Sequence, residues 1–187
     1  TLASVPRLGA AEAEAAIAAA NAAWPAWRAK TAKERAAILM KWHALMIENA
    51  DDLARIMTAE QGKPLPEASG EVVYGASFIE WFGDEAKRVY GETIPGHQRD
   101  KRITVIKQPI GVVGSITPWN WPVMIACWHI IPAVRAGNTV VIKPSPLTPL
   151  STIRLVEIIN EVLPAGVVNV VTGENAIGAA LSAHPGI

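Results

Sequence analysis

GVVGSI at residues 111–116 and TVVIK at residues 139–143 are the two apolar runs that decide the fold of this chain. Each is short and rich in β-branched residues, as expected of a strand buried on both faces. Around them, the pattern predicts helices at 122–135, 150–163 and 175–183, and a further strand at 167–171. Strands that alternate with helices of this length favour right-handed crossovers and a parallel sheet.

The residues before these strands are expected to be helical. An alanine-rich run from Ala10 to about Lys30 favours a helix, and TAKE at residues 31–34 is a capping box that opens the next one. A break at 49–52 interrupts the helical period, QGKP at 61–64 ends it, and a long helix is expected from about Leu65 to Arg88. Residues 103–107 alternate as in a half-exposed strand. We therefore expect a helical part at 1–90 and a βαβ part at 101–187.

Composition narrows the class of protein. Half of the 187 residues are apolar, 18% are charged and the formal net charge is zero, so neither nucleic-acid binding nor a disordered chain is indicated. The single cysteine, Cys127, excludes an intrachain disulfide framework and a Cys-rich zinc site, and fits a reducing compartment, with the cytoplasm as the default. The uncharged stretch at 116–134 is long enough to approach a membrane span, but its prolines, Asn120 and His129 favour a strand, a turn and a core helix.

Two polar side chains stand out in apolar surroundings. Asn120 lies between Trp119 and Trp121 at a strand-to-helix turn, and Lys143 ends a buried strand. Ligands of α/β proteins bind at the carboxyl ends of parallel strands, where these residues would supply a hydrogen-bond donor and a cation. From the residues alone, Asn120 could equally cap the following helix, and Lys143 could be a surface lysine at a strand end.

Several motifs resemble those of the NAD(P)-dependent aldehyde dehydrogenase superfamily. They are QGKP at 61–64, TPWN at 117–120, KPS at 143–145 and PAGVVNVVTG at 164–173. The resemblance runs from about Ala10 to the last residue, and much of 62–108 is similar to the succinate-semialdehyde dehydrogenase branch. It implies an α/β, doubly wound, parallel-sheet (Rossmann-like) nucleotide-binding domain with N-terminal helices, incomplete and without the catalytic domain.

The resemblance also implies a reaction. In the family, a cysteine thiolate attacks the aldehyde, an Asn side chain stabilises the oxyanion, hydride passes to NAD or NADP, and a glutamate activates the water that releases the acid. Asn120 matches that Asn, whereas the nucleophilic Cys and the Glu are expected downstream of these residues. The 187 residues alone are therefore expected to be inactive, and the full-length enzyme to be a homodimer or homotetramer.

Two other functions stay open. The chain could act as a non-catalytic nucleotide-binding or assembly module, or belong to an acylating semialdehyde or acyl-phosphate reductase.

The resemblance assigns cofactor contacts to three segments. Lys143 is expected to bind the adenosine ribose, and Pro144 and Ser145 to shape the adjoining wall. Many NAD-preferring members carry a Glu where this chain has Pro146, so the choice between NAD and NADP stays open. The remaining predicted contacts lie in the two other strand-to-helix turns, and they are Ile116, Thr117, Pro118, Trp119, Gly173 and Gly178.

Trp121 and Trp128 are expected to line the aldehyde tunnel, although core packing is an equal alternative. The succinate-semialdehyde branch usually carries an Arg where Trp128 stands, and an indole cannot pair with a substrate carboxylate. An uncharged aliphatic or aromatic aldehyde is therefore favoured.

The remaining reactive side chains are given structural roles, and no metal site is predicted. Cys127 and His129 are two residues apart on a helix, so they would face different ways and could not form a catalytic pair. Cys127 is therefore expected to be a small buried side chain. Glu60, Glu67 and Glu71 are interpreted as a solvated helix face.

Overall fold

The computed structural model describes residues 1–187. The α-helices are α1 (Ala10–Arg28), α2 (Ala32–Glu48), α3 (Ala50–Gln61), α4 (Leu65–Glu85), α5 (Pro122–Arg135), α6 (Pro149–Asn160) and α7 (Asn175–Ala183). The strands are β1 (Glu92–Pro95), β2 (Arg102–Val105), β3 (Val112–Ile116), β4 (Thr139–Lys143) and β5 (Val168–Val170). A 3-10 turn at Ala86–Arg88 extends α4 to the residue at which the sequence predicted its end.

Three parallel strands in the order β3, β4, β5 form the centre of the fold. All residues of β4 are buried, because it pairs on both edges and carries a helical layer on each face. β3 is paired on one edge only, and its Gly114 and Ile116 are exposed. The predicted parallel α/β sheet is confirmed, while the full burial expected of β3 is limited by its edge position.

Each face of the sheet has its own apolar cluster. Val140 and Ile142 point into the larger cluster, with α5 and α6, whereas Val141 points into a smaller one with α1 and α7. This alternation follows from the two-residue period of a strand. The apolar centre of β4, residues 140–142, therefore serves two cores at once.

The helices of the predicted helical part lie on opposite faces of the sheet. α2, α3 and α4 pack on one another and on α5 and α6, and their buried faces form part of the larger core. α1 instead covers the opposite face of the sheet, where Ile17 packs in the smaller core. Its end is tied to the loop after α5, because the Trp24 and Trp27 indoles donate to the carbonyls of Gly137 and Val134.

β1 and β2 form a two-stranded antiparallel ribbon in which every residue is exposed. The sequence predicted β2 but not β1, and the half-exposed alternation expected at 103–107 is wrong. Neither face of the ribbon packs against another layer, so the apolar residues of β2 stay more than a third exposed. The stretch at 116–134 forms the end of β3, a turn and α5, as predicted, and no helix of the structure is long and apolar enough to cross a membrane.

We expect Ile142→Ala to lower the free energy of unfolding by about 2–5 kcal/mol, because the buried side chain leaves a cavity in the central strand. The matched change Ile103→Ala removes the same atoms from the exposed β2, and its cost should stay below about 1 kcal/mol. Urea-induced unfolding of both variants measures the difference. Equal losses would contradict the assignment of β4 to the centre of the core.

Candidate functional site

The carboxyl ends of β3 and β4 bring several predicted cofactor residues together. Ile116 lies opposite Lys143 in the parallel register, and the Thr117 N–H donates to the Lys143 carbonyl over 3.1 Å. Gly178, in the first turn of α7, lies against both side chains: a Cβ built there would be 3.6 Å from atoms of Ile116 and of Lys143. A helix, two strand ends and a cation thus converge at one edge of the sheet.

Lys143 is a buried cation rather than a surface lysine. Its ammonium donates to the Pro144 carbonyl over 3.0 Å, and the residue is 4% exposed. Burial lowers the pKa of Lys143, and the nearby Glu174 carboxylate partly offsets that effect. A buried ammonium with so few partners is suited to hydrogen-bond a polar ligand at this edge.

An open cavity of about 440 Å³ adjoins Lys143. Pro144, Ser145, Pro146 and Gly173, which the sequence assigned to cofactor binding, all line it, together with Val5, Pro6, Arg7, Pro149, Thr172 and Glu174. Two buried hydroxyls in the adjoining turns, those of Thr117 and Thr148, have no hydrogen-bond partner within the protein. The cavity itself is lined by one cationic residue, Arg7, two hydroxyl residues, Ser145 and Thr172, one carboxylate residue, Glu174, and several prolines.

The N-terminal segment of the chain forms one wall of this cavity. The Thr172 hydroxyl donates to the Pro6 carbonyl over 2.7 Å, and the Leu8 N–H donates to the Thr172 carbonyl over 3.1 Å. A Cβ at Gly173 would be 2.9 Å from the Leu8 carbonyl oxygen, and its φ of 153° further favours glycine. Arg7 thereby reaches the cavity, a placement that sequence reasoning missed because no local pattern links Arg7 to β5.

The turn at 117–121 exposes the Asn120 side chain. Asn120 does not cap α5: the N-cap residue is Trp121, which makes no side-chain cap bond, and the first amides of the helix bond elsewhere. The Asn120 carbonyl accepts from the Gln61 amide and from the Lys63 ammonium, each over 2.9 Å. The backbone of Asn120 is therefore held, while its side-chain amide faces solvent.

Glu71 supplies the missing cap of α5. Its Oε1 accepts from the Val123 and Met124 N–H groups over 3.0 and 3.1 Å, and its Oε2 pairs with the Lys63 ammonium. Glu71 is 1% exposed, so its assignment to a solvated helix face is wrong. Helical spacing in the sequence already indicated this burial, because Glu71 shares the buried stripe of α4 with Ala68 and Gly75.

Glu60 also lies outside the predicted solvated face. It is half-buried and accepts from the Leu150 and Ser151 N–H groups, over 2.8 and 3.0 Å, at the start of α6. Only Glu67 of the three acidic residues is exposed as predicted.

Trp121 and Trp128 lie in different surroundings. Trp121 precedes α5, with the Lys63 ammonium 4.3 Å from its ring centroid. Trp128 meets Phe78 edge-on, with ring centroids 5.4 Å apart, and Phe78 in turn contacts Tyr74. Phe78 and Tyr74 line an open cavity of about 920 Å³, whose other lining residues are Ser77, Glu80, Trp81, Phe82 and Asp84. No lysine or arginine lines this aromatic cavity.

Cys127 is a buried thiol, as predicted. Its Sγ lies 3.9 Å from the Met46 sulfur, and burial, with a smaller effect of the Glu71 charge, raises its pKa well above the usual range. His129 does not contact it, since its Nδ1 is hydrogen-bonded to the Ser115 hydroxyl over 2.8 Å. Partial burial lowers the pKa of His129. Cys127 therefore packs in the core and is not available as a nucleophile.

Known proteins share both the sequence and the fold. Two similar curated proteins are "Succinate-semialdehyde dehydrogenase [NADP(+)] GabD" of Escherichia coli, 60% identical over 98% of this chain, and a "Glutarate-semialdehyde dehydrogenase" of Pseudomonas aeruginosa, 59% identical over 97%. The chain spans 39% and 38% of their respective lengths.

Solved structures agree. A crystal structure of an E. coli NADP-dependent enzyme superposes on the whole chain with a TM-score of 0.96 at 58% identity. The match covers 39% of the length of that enzyme. The succinate-semialdehyde dehydrogenase of Burkholderia pseudomallei superposes with the same TM-score, 0.96, at 51% identity, again over 39% of its length.

These relatives confirm the predicted resemblance, including its likeness to the succinate-semialdehyde branch. The model of the "Aldehyde dehydrogenase family" matches residues 1–187 in full. The chain therefore belongs to the aldehyde dehydrogenase family.

Proposed function

We propose that this chain binds the cofactor and stabilises the oxyanion in an NAD(P)-dependent aldehyde dehydrogenase, which oxidises an aldehyde to a carboxylic acid. The observation that carries the proposal is the exposed Asn120 amide, whose backbone is fixed at the same sheet edge as the buried Lys143. A fixed donor and a cation at the carboxyl ends of adjacent parallel strands suit a nucleotide and a reacting carbonyl side by side.

The cavity beside Lys143 fits the adenosine part of a dinucleotide. The Lys143 ammonium and the Ser145 hydroxyl supply donors for ribose hydroxyls, and Pro144 and Pro146 supply apolar walls. The unpartnered hydroxyls of Thr117 and Thr148 offer further polar contacts. When bound, the nicotinamide cofactor supplies the hydride acceptor.

Asn120 acts on the other reactant. Attack of a thiolate on an aldehyde carbonyl forms a thiohemiacetal and concentrates negative charge on the former carbonyl oxygen, and the Asn120 side-chain NH₂ donates to that oxygen. Cys127 cannot be the thiolate, because it is fully buried and its pKa is raised. The nucleophile and the base that activates water are accordingly expected outside residues 1–187.

We expect Asn120→Ala in the full-length protein to lower kcat about 100- to 1000-fold, the usual cost of removing one oxyanion donor. Nucleotide affinity should stay within about twofold of wild type, because Asn120 acts on the aldehyde. Steady-state kinetics and nucleotide titration separate the two effects. Asn160→Ala, at the exposed end of α6, is the control and should leave kcat unchanged. A wild-type kcat in Asn120→Ala would overturn the proposed role.

The substrate class depends on Trp128. The relatives' names include succinate semialdehyde, glutarate semialdehyde and 3-sulfolactaldehyde, aldehydes that carry one acidic group in addition to the reacting carbonyl. In this chain Trp128 packs edge-on against Phe78, and the adjoining aromatic cavity is lined by Glu80 and Asp84 with no cation. These side chains favour an uncharged aliphatic or aromatic aldehyde over an acidic semialdehyde.

We expect Trp128→Arg to raise the kcat/KM ratio of glutarate semialdehyde to pentanal by about 10-fold or more, since a charge-assisted hydrogen bond contributes about 1.5–3 kcal/mol. The two aldehydes match in chain length and differ in the carboxylate. Tyr90→Arg adds the same charge at an exposed site outside the aromatic cavity and should leave the ratio unchanged. A wild-type enzyme that already prefers the semialdehyde, with no response to Trp128→Arg, would contradict this substrate class.

Cofactor preference depends on Pro146, which leaves Glu174 as the one carboxylate residue that lines the nucleotide cavity. We expect Pro146→Glu to weaken binding of NADP relative to NAD by about 10-fold or more, because a carboxylate bonds ribose hydroxyls and repels a 2′-phosphate. Pro146→Gln makes the same change of shape without the charge and should leave the ratio near wild type. Calorimetric titration with both nucleotides measures the ratio, and equal ratios in the two variants would refute this role of charge.

A further inference from the structure

We propose that Glu71 and Lys63 form a positioning pair that sets the geometry of Asn120. The inference rests on the oxyanion role proposed for Asn120 and extends it to residues that do not themselves touch the substrate. It explains why a buried ion pair lies directly behind an exposed turn.

The Glu71 carboxylate is fixed by three partners. Its side chain is fully buried, and each oxygen is engaged: Oε1 accepts from the Val123 and Met124 N–H groups, and Oε2 pairs with Lys63. A buried carboxylate is tolerated only with such partners, and it has little freedom to move among them. Glu71 therefore anchors the first turn of α5 to α4.

Lys63 links Glu71 to the other side of the turn. Its ammonium bonds to Glu71, donates to the Asn120 carbonyl over 2.9 Å and lies over the Trp121 ring. The Gln61 side chain donates to the same carbonyl and to that of Trp119. The Asn120 carbonyl before Trp121 and the amides after it are thus held through one ion pair.

Capping of α5 alone would not require a carboxylate from α4. A Ser, Thr, Asp or Asn at the N-cap position caps a helix locally, yet α5 receives its cap from a residue 52 positions away. The distant source ties the Asn120 turn to the rigid α4 and leaves the Asn120 side chain free for a ligand. Displacement of a catalytic group by about 1 Å can cost about 100-fold in rate, so the position of this turn matters for turnover.

Glu71→Gln is the variant that breaks the pair while keeping its shape. The Gln oxygen can still accept from the Val123 and Met124 amides, but its NH₂ group then faces the Lys63 ammonium, donor against donor. We expect kcat to fall between about 10- and 100-fold with nucleotide affinity within about twofold of wild type.

The test is a double-mutant cycle on kcat in the full-length protein, with Glu71→Gln, Asn120→Ala and the double variant. If Glu71 acts through Asn120, adding Glu71→Gln to Asn120→Ala should lower kcat by less than about twofold further. An equal fall of kcat in both backgrounds, or a wild-type kcat in Glu71→Gln, would overturn the proposal. If Asn120→Ala alone keeps its kcat, the proposed function fails first, and the two failures are thereby distinguished.

Two further variants keep the result interpretable. Lys63→Met removes the other member of the pair from a site near the surface and should reproduce the kcat loss and its dependence on Asn120 if Glu71→Gln does not fold. Glu34→Ala removes the capping box of α2, which does not contact the turn. It should lower the melting temperature and leave kcat per folded enzyme unchanged, whereas a kcat loss as large as that of Glu71→Gln would mean that destabilisation explains both.

Discussion

The site depends on the parallel pairing of β3 with β4. Because the register sets Ile116 opposite Lys143, the turn that carries Asn120 and the turn that carries Ser145 leave the sheet at the same edge. The central strand is fixed from both faces, by α5 and α6 on one side and by α1 and α7 on the other. A slip of one residue would turn the apolar set of β4 to the wrong cores. Packing thus determines where the polar groups meet.

The helices around this edge begin without local caps. α5 and α6 each have proline in the first turn and no side-chain cap of their own. Glu71 of α4 and Glu60 of α3 provide carboxylates for their exposed N–H groups, where the helix dipole favours negative charge. The outer helices are therefore coupled electrostatically as well as by packing to the layer that carries the site. The arrangement leaves Asn120 free of a capping role.

The sequence predicted well the helices and strands whose bounds depend on local periodicity. The bounds of β4, α5 and α7 were predicted to the residue, because β4 is an apolar run, α5 begins at Pro122 and Pro185 follows α7. β1 was missed, since a short ribbon that stays exposed to solvent does not require an apolar strand pattern. The motif resemblance correctly identified the family, whereas the cofactor contacts assigned to Lys143, Ser145 and Gly173 stay predictions.

Long-range contacts could not be inferred in this way. Glu71 meets α5, and Arg7 meets the cavity beside Lys143, only through the tertiary fold. The proposed aldehyde oxidation is tested most directly by the absorbance of reduced nicotinamide in a single turnover of the full-length protein with saturating NAD or NADP and an aldehyde. One reduced nucleotide should form for each carboxylic acid. Nucleotide binding without any aldehyde-dependent reduction would contradict it.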